Sequence, residues 1–499
     1  MASPLLFEIN TRCWLRALSE KSRSAVTLAT VPDEHVAVWQ SLGFSHLWLM
    51  GVWTSGPRAR AQALGDARQQ QAYAEALPDW SVADVAGSPY AIASYEVPEA
   101  LGGNAGLETF RQQLQSHGLK LLLDFVPNHL GLDHPWLFER PELFVQTSSQ
   151  VPESFRQETR SGLRNIAHGK DPYFSAWTDT AQLDYRRAET RSAMLGLLRE
   201  IAGRCDGVRC DMAMLLLDDI FARTWARFPV SVAELETEFW TEAISAVKKE
   251  FGDFVFLAEA YWGTEARLRK LGFDFTYDKT LYDKLVGRDI VGVQKYLLSL
   301  SRDDLTVSAH FLENHDEPRI ASLLSLPEQR AAALVVLGLP GMRFLHEGQL
   351  VGLRRRVPVQ LTRRAAEAVE PQVKTMYHQL LAALKVSAVG QGAFELLSPR
   401  AAWPGNPTAQ NFVLLQWTVS APDFDLVVVN LAPHRSQCYV SLNLPNPPVL
   451  KWVMRDVLGI ERFVRCELEL QRQGLYLDVP AHGAQLFHFQ PLADNPTKV

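Results

Sequence analysis

Eight short apolar runs alternate with helix-like stretches over the first three quarters of the chain. The runs are almost continuously apolar, which is typical of parallel strands buried on both faces. They cover residues 5–10, 46–51, 119–126, 207–211, 254–259, 273–277, 308–315 and 342–346. Alternating strands and helices are the pattern of βαβ units, and eight strands are enough to close a barrel. The sequence therefore predicts an α/β fold, a (β/α)8 TIM barrel.

The segments between the apolar runs have a helical period. Within residues 189–202, for example, four apolar side chains recur at the spacing of one helix face, namely Met194, Leu197, Leu198 and Ile201. We expect this stripe to pack on the barrel wall.

Two regions depart from the alternating pattern. Residues 130–185 form too long an interval for a simple loop after the third strand, and they predict an insertion over the active-site face. After about residue 390, short β-type runs are separated by Pro- and Gly-containing breakers. We therefore predict a catalytic barrel over 1–390, including the 130–185 insertion, and a C-terminal antiparallel β-sandwich domain over 391–499.

Composition restricts the class of protein. The 499 residues carry a net charge of -6, which provides no basic surface for a nucleic acid. The first residues lack the basic and apolar segments of a signal peptide, and no stretch resembles a membrane span. The five cysteines are widely spaced and suggest neither a disulfide framework nor a zinc site. We expect a cytoplasmic protein with no nucleic-acid or membrane partner, while the oligomeric state stays open.

Four of the predicted strands end abruptly in polar residues, at the barrel face where enzymes of this fold place their chemistry. The endings supply Asp124, Asn128 and His129; Arg209 and Asp211; Glu259; and Asn314, His315 and Asp316. A single terminal acid is often only a helix N-cap. Acids at several strand ends, with Arg209 on the same strand face as Asp211, are what cleavage of a glycosidic bond requires.

In such a reaction, an ionised carboxylate attacks the anomeric carbon while a protonated one donates to the leaving oxygen. A third carboxylate and two histidines can bind sugar hydroxyls and stabilise the developing positive charge. Trp262, three residues after Glu259, is a substrate-binding candidate, because an aromatic ring can stack on the leaving-side sugar; packing at the rim is the alternative.

The segments LLLDFVPNH, GVRCD, FLAEAYW and FLENHD, and more loosely SPYAIASY and TAQLDY, resemble the conserved blocks of the α-amylase superfamily of retaining glycoside hydrolases. The resemblance spans about residues 5–390. It implies that Asp211 is the nucleophile, Glu259 the general acid/base and Asp316 the third acid. It further implies substrate-site roles for the remaining matched positions, which are Tyr90, Asp124, His129, Arg209 and His315.

The same resemblance bears on calcium. Many relatives follow the nucleophile with a Lys-His pair that helps to bind a structural calcium, but Met214 and Leu215 stand in those places here. Asn128 and Asp184 match other calcium ligands, yet two oxygen donors fall short of the roughly six to eight that calcium takes. We therefore expect no metal and no cofactor.

The predicted function is retaining hydrolysis of α-glucosidic bonds in oligo- or polysaccharides through a covalent glycosyl-enzyme intermediate. A transglycosylase or a sugar phosphorylase would use the same catalytic residues, because water, a sugar hydroxyl and phosphate attack the same intermediate. A non-catalytic amylase-like protein is a third alternative, which retention of all three acids disfavours. The sequence does not reveal chain length, endo or exo action, or the exact substrate.

Overall fold

Eight parallel strands form a closed barrel in the computed structural model, which describes residues 2–230, 235–444 and 450–492. In chain order they are β1 (Leu5–Asn10), β2 (His46–Met50), β3 (Lys120–Phe125), β4 (Gly207–Cys210), β5 (Val255–Ala258), β6 (Phe275–Tyr277), β7 (Ser308–Phe311) and β8 (Met342–His346). The strand order around the barrel follows the chain from β1 to β8 and back to β1. All eight predicted strands are thus confirmed, and most end one to four residues before the predicted limit because the last residues of each run lie beyond the hydrogen-bonded ladder.

Helices separate the strands. Those of eight or more residues are Thr11–Ser22, Asp33–Ser41, Pro57–Gly65, Ala67–Ala76, Gly103–Ser116, Ala188–Ala202, Phe239–Phe251, Lys279–Val286, Ile290–Ser299, Leu326–Gly338 and Pro371–Lys385. Shorter α-helices are Trp136–Glu139, Asp218–Thr224, Glu265–Lys270, Arg302–Thr306, Ile320–Leu323 and Glu467–Gln473. In Ala188–Ala202 the predicted stripe is buried at Met194, Leu198 and Ile201 and half-buried at Leu197, because the helix packs along one face.

The chain between β3 and helix Ala188–Ala202 carries its own small sheets. Its strands are His129–Gly131, Gln146–Thr147, Ser154–Thr159, Gly162–Ala167 and Thr180–Gln182. The first and last of these pair with each other, and the middle three form a separate antiparallel sheet. The predicted insertion is therefore a structured segment rather than a long irregular loop.

The C-terminal region consists of two antiparallel sheets. One has six strands, in spatial order Ala393–Leu396, Phe412–Thr418, Phe424–Asn430, Ala484–Pro491, Lys451–Asp456 and Arg462–Cys466. The other has three, in the order Arg400–Ala401, Ser436–Val440 and Leu475–Val479. Leu426 and Trp452 of the six-stranded sheet share one apolar core with Leu477 of the three-stranded sheet. The predicted C-terminal antiparallel β-domain is confirmed.

The chain divides into two compact units. Among the described residues, one unit comprises those within 1–6, 278–354 and 367–499, and the other comprises those within 7–277 and 355–366. The boundary predicted at residue 390 stays a prediction. In the described part of the chain, no helix has the length and apolar character needed to cross a membrane.

Candidate active site

Asp211 and Glu259 immediately follow two neighbouring barrel strands. β4 and β5 pair in parallel with Cys210 opposite Ala258, so the next residue of each strand is one of the two acids. Arg209 pairs with Asp124 of β3, on the other side of β4. Because neighbouring strands lie nearly 5 Å apart, this register brings the acids of three strands to one end of the barrel.

A single guanidinium joins these acids. Arg209 Nη1 lies 2.6 Å from Asp211 Oδ1 and 3.7 Å from Asp124 Oδ1, and Arg209 Nη2 lies 2.8 Å from Glu259 Oε2. The arginine side chain is fully buried, and the three carboxylates are almost fully buried. One positive charge therefore faces three acidic groups. This excess of carboxyl groups over cations favours a proton on one of the carboxyl groups.

Aromatic rings surround the same guanidinium. Its carbon lies 5.3 Å from the ring centre of Trp48, 5.4 Å from that of Tyr90 and 5.9 Å from that of Tyr277. Burial lowers the pKa of Arg209, but Glu259, Tyr277, Tyr90 and Asp211 outweigh it and hold the pKa well above its ordinary value. Arg209 therefore stays charged and fixes the geometry of the acids.

The backbone after Asp211 adopts an unusual conformation. Met212 has φ 45° and ψ 46°, in the left-handed region that side chains other than glycine rarely occupy. This turn lets the Met212 amide donate to Glu259 Oε2 at 2.7 Å. Local strain is thus coupled to the position of the predicted acid/base.

Tyr261 is a candidate site residue that the sequence pattern did not reveal. Its hydroxyl donates to Glu259 Oε1 at 2.7 Å, so both oxygens of that carboxylate have partners. Tyr277, also missed, accepts from Arg209 Nε at 3.3 Å. The available signal was the spacing of Tyr261 two residues after Glu259, because side chains two apart in an extended segment point to the same side.

Asp124 lies beneath this cluster and ties it to the end of β2. Its Oδ2 accepts the Gly51 amide at 2.9 Å, and its carbonyl accepts Trp53 Nε1 at 2.7 Å. Gly51 has φ 74°, and a Cβ there would approach Pro89 to 2.9 Å, so glycine is required. This close approach places Pro89, which precedes Tyr90, directly against Gly51.

His129 is buried at the start of the small strand His129–Gly131. Burial lowers its pKa to about 4, opposed in part by a hydrogen bond with the backbone of Tyr90. Its ring lies 5.1 Å from that of Trp177, a residue of the insertion that sequence reasoning did not single out. The imidazole is therefore neutral near pH 7 and suited to bind a hydroxyl group.

His315 and Asp316 follow β7 in the other unit. Asn314 Oδ1 accepts the amides of Asp316 and Glu317, each at 2.9 Å, which turns the chain sharply after the strand. His315 Nε2 lies 3.0 Å from Asp316 Oδ2; the histidine is buried and the carboxylate is half exposed. These two predicted site residues therefore lie together.

Trp262 is 40 % exposed and has φ 61°. Its ring centre lies 4.8 Å from that of Tyr173, with the planes at 77°. The ring is thus held at the surface of its unit rather than packed into the core.

The two positions that match calcium ligands are already bonded to protein groups. Asp184 Oδ1 and Oδ2 accept Arg186 Nε and Nη2 at 2.7 Å and 2.8 Å. Asn128 exchanges hydrogen bonds with Gln182, at 3.2 Å and 3.0 Å. Within the described residues, no cluster of three or more His, Cys, Asp or Glu side chains could hold a metal. A cation on Asp184 would have to displace a guanidinium, so these residues do not fit calcium.

Comparison with known protein families gives one match over most of the chain. A family model described as the alpha amylase catalytic domain matches residues 34–379. The chain belongs to this family. The match includes every predicted site residue.

Curated relatives of this alpha-amylase family member are distant. Alpha-amylase MalA of Haloarcula japonica is 26% identical over 269 residues, covering 52% of this chain and 36% of the relative. The probable oligo-1,6-glucosidase 2 of Bacillus subtilis is 24% identical over 316 residues, covering 54% of this chain and 55% of the relative. The matched region thus spans between about a third and about half of the relatives' length.

Solved structures share the fold over nearly the whole chain. An alpha-amylase from Lactobacillus plantarum is 20% identical with a TM-score of 0.67, covering 98% of this chain and 99% of its own. A maltogenic alpha-amylase AmyB from Thermotoga neapolitana is 16% identical, with the same TM-score and coverage. These likenesses support the barrel and the C-terminal β-domain.

Proposed function

We propose that this protein is a retaining α-glycoside hydrolase that cleaves α-glucosidic bonds of oligo- or polysaccharides. The observation that carries the proposal is the pair Asp211 and Glu259, joined by Arg209 at the ends of adjacent strands. A retaining pair needs carboxyl groups about 5 to 5.5 Å apart, close to the spacing of neighbouring strands.

In the proposed mechanism, Asp211 attacks the anomeric carbon while Glu259 donates a proton to the leaving oxygen. This step breaks the glycosidic bond and forms a covalent bond from the sugar to Asp211. Water then attacks the anomeric carbon, gives its proton to Glu259 and releases the sugar from Asp211. Arg209 keeps Asp211 ionised, because it lies 2.6 Å from the attacking carboxylate.

The remaining residues bind the sugar. Neutral His129 accepts a hydrogen bond from a sugar hydroxyl or donates one to it. The ring face of Tyr90 stacks on the pyranose. Asp316 and His315 bind further hydroxyls, as the family resemblance implies. Because Arg186 already pairs with Asp184, we propose that this position takes no calcium ion.

We further propose that the protein works in the cytoplasm as an enzyme without a cofactor. The five cysteines form no disulfide in the structure, and Cys13, Cys205, Cys210 and Cys438 are buried. Burial raises the pKa of Cys205 to about 12, which keeps this thiol protonated and unreactive.

Stereochemistry tests the proposal. Proton NMR of the earliest product from a maltooligosaccharide should show the α-anomer before mutarotation. Appearance of the β-anomer first would mean inversion and would overturn the roles of Asp211 and Glu259. Added acceptor sugar or phosphate in parallel reactions distinguishes hydrolysis from transglycosylation and phosphorolysis by the products formed.

A further inference from the structure

Helix Thr11–Ser22 lines one side of a cavity of about 860 Å³, within the unit of residues 7–277 and 355–366. Among the described residues, the charged side chains that line this cavity are Arg12, Arg16, Arg23, Arg60 and Glu20. Arg16 and Glu20 form an exposed ion pair at 2.7 Å. The other three arginines make the cavity basic, although the chain as a whole has a net charge of -6.

Arg12 is the most deeply buried of these cations, at 8 % exposure. It donates to the carbonyls of Gly87 at 2.9 Å and Trp53 at 3.3 Å, and to Ser55 Oγ at 3.1 Å. Burial lowers the pKa of Arg12 to about 10, and the groups that oppose this lowering include no carboxylate. A buried charge without a counter-ion is unfavourable, so an anion in the cavity would stabilise this guanidinium.

Arg60 and Arg23 add two further positive charges to the cavity wall. Arg60 donates from Nε to the Val85 carbonyl and from Nη2 to the Val82 carbonyl, each at 2.7 Å. Arg23 ends its helix in the left-handed region at φ 55°, with its amide bonded to the Ser19 carbonyl. In the described part of the chain, neither arginine belongs to an ion pair. Guanidinium groups bind phosphate oxygens through paired hydrogen bonds, so three arginines on one cavity favour a phosphate group.

Hydroxyl side chains line other parts of the same cavity. Thr54 Oγ1 donates to the Glu96 carbonyl at 2.7 Å, and Thr362 Oγ1 donates to the Asp84 carbonyl at 3.2 Å. A hydroxyl that donates to a carbonyl can still accept a hydrogen bond through its oxygen. Such acceptors suit the hydroxyl groups of a sugar, and the cavity has room for more than a phosphate ion.

Arg12 also connects the cavity to the candidate active site. Gly87, whose carbonyl Arg12 binds, lies three residues before Tyr90. The indole of Trp53, whose carbonyl also binds Arg12, donates to the Asp124 carbonyl at 2.7 Å. An anion that fixes Arg12 therefore also acts on two segments that lead to predicted site residues.

We propose that this cavity binds the phosphate monoester of a sugar and that the bound anion stabilises segment 82–90. The phosphate group pairs with Arg12, Arg23 and Arg60, while the sugar hydroxyls donate to the threonine oxygens. The ligand is an effector rather than a substrate, because neither Asp211 nor Glu259 lines the cavity. The inference goes beyond the proposed function and does not depend on it.

Isothermal titration calorimetry with glucose 6-phosphate tests the inference. The wild-type protein should bind it at low ionic strength with a Kd below about 1 mM. Arg23→Gln and Arg60→Gln should each weaken binding about tenfold or more, whereas Arg23→Lys should stay within about threefold of wild type. Arg68→Gln is the matched control, because Arg68 is an exposed arginine of the same unit that does not line the cavity. Thermal unfolding of each variant separates a loss of binding from a loss of the fold.

Glucose and inorganic phosphate identify the part of the ligand that is recognised. Each should bind about tenfold or more weakly than glucose 6-phosphate, because glucose lacks the anion and phosphate lacks the sugar hydroxyls. Equal affinity for inorganic phosphate would assign the cavity to the free ion and overturn the proposed ligand. No binding to the wild-type protein, or unchanged affinity in Arg23→Gln and Arg60→Gln, would overturn the site itself.

Hydrogen exchange tests the link to the active site. Amides of residues 82–90 should exchange more slowly when glucose 6-phosphate is bound, because the anion fixes the arginines that hold their carbonyls. Unchanged exchange in this segment at saturating ligand would overturn the proposed stabilisation.

Discussion

Arg209 and Arg319 are both buried arginines beside the ends of barrel strands, but their charge environments differ. Arg209 faces the carboxylates of Asp211, Glu259 and Asp124 within 3.7 Å. Arg319 Nη1 lies 2.7 Å from Glu313, 2.8 Å from His346 and 2.6 Å from the Glu347 carbonyl. The Arg209 cluster thus has more carboxylates than arginines. In the Arg319 cluster, the arginine pairs with the carboxylate of Glu313.

Backbone geometry separates the clusters further. Glu313 Oε2 accepts a hydrogen bond from the Ile320 amide at 2.7 Å, which links the two ends of the loop after β7. Beside Asp211, by contrast, Met212 is held in the left-handed region. A buried arginine–carboxylate pair therefore does not by itself identify an active site; the excess of acids and the strained backbone distinguish the Arg209 cluster.

Asp211→Asn should give the largest effect on the Arg209 cluster. The amide cannot form the covalent intermediate, so we expect kcat to fall by about three orders of magnitude or more with the fold intact. Initial rates and thermal unfolding should be measured together. Asp253→Asn, an exposed acid just before β5, is the matched control. A folded Asp211→Asn protein within about tenfold of wild-type activity would contradict the assignment.

Glu313→Gln should instead reduce stability. Removing this carboxylate leaves the Arg319 charge buried without its acid partner, which costs about 3–5 kcal/mol. Urea denaturation should show this loss, while activity of the folded protein stays well above that of Asp211→Asn. Glu20→Gln breaks an exposed ion pair with Arg16 and should cost less than about 1 kcal/mol. Equal stability losses in Glu313→Gln and Glu20→Gln would contradict a structural role for the buried Glu313–Arg319 pair.

Arg186→Ala tests a third arginine–acid pair. It leaves the buried Asp184 with Arg187 at 3.7 Å, and we expect a stability loss of about 1–3 kcal/mol. The wild-type melting temperature and activity should not change after chelation, because both carboxylate oxygens of Asp184 already accept hydrogen bonds from Arg186. Loss of either property on chelation, with recovery on adding calcium, would show that this interpretation is wrong.

Tyr261→Phe should give the smallest effect. Removing the hydroxyl takes away one hydrogen bond to Glu259, so we expect kcat to fall about tenfold or less. A lost hydrogen bond to the ionised carboxylate makes that form less favourable, so the alkaline limb of the pH–rate profile should move to higher pH. An unchanged profile would show that Tyr261 does not act through Glu259.

Sequence reasoning found the elements that depend on local pattern. The eight strands were readable because parallel strands buried on both faces are almost continuously apolar. Asp211 and Glu259 were readable because polar residues directly after such runs lie at the barrel face where chemistry occurs. The small strands of the C-terminal region, such as Arg462–Cys466, gave a weaker signal because they are short and partly exposed.

Only the tertiary structure revealed the contacts between distant parts of the chain. The sequence contains Tyr173 and Trp262, but their meeting depends on how the insertion folds. Likewise, the hydrogen bond between Arg209 and Tyr277 joins residues 68 positions apart, and no sequence periodicity predicts it. The sequence by itself determined the strands and the acids at their ends, because burial and strand termination are local properties. The tertiary structure decided which side chains hold those acids, because a side-chain contact depends on the positions of two segments at once.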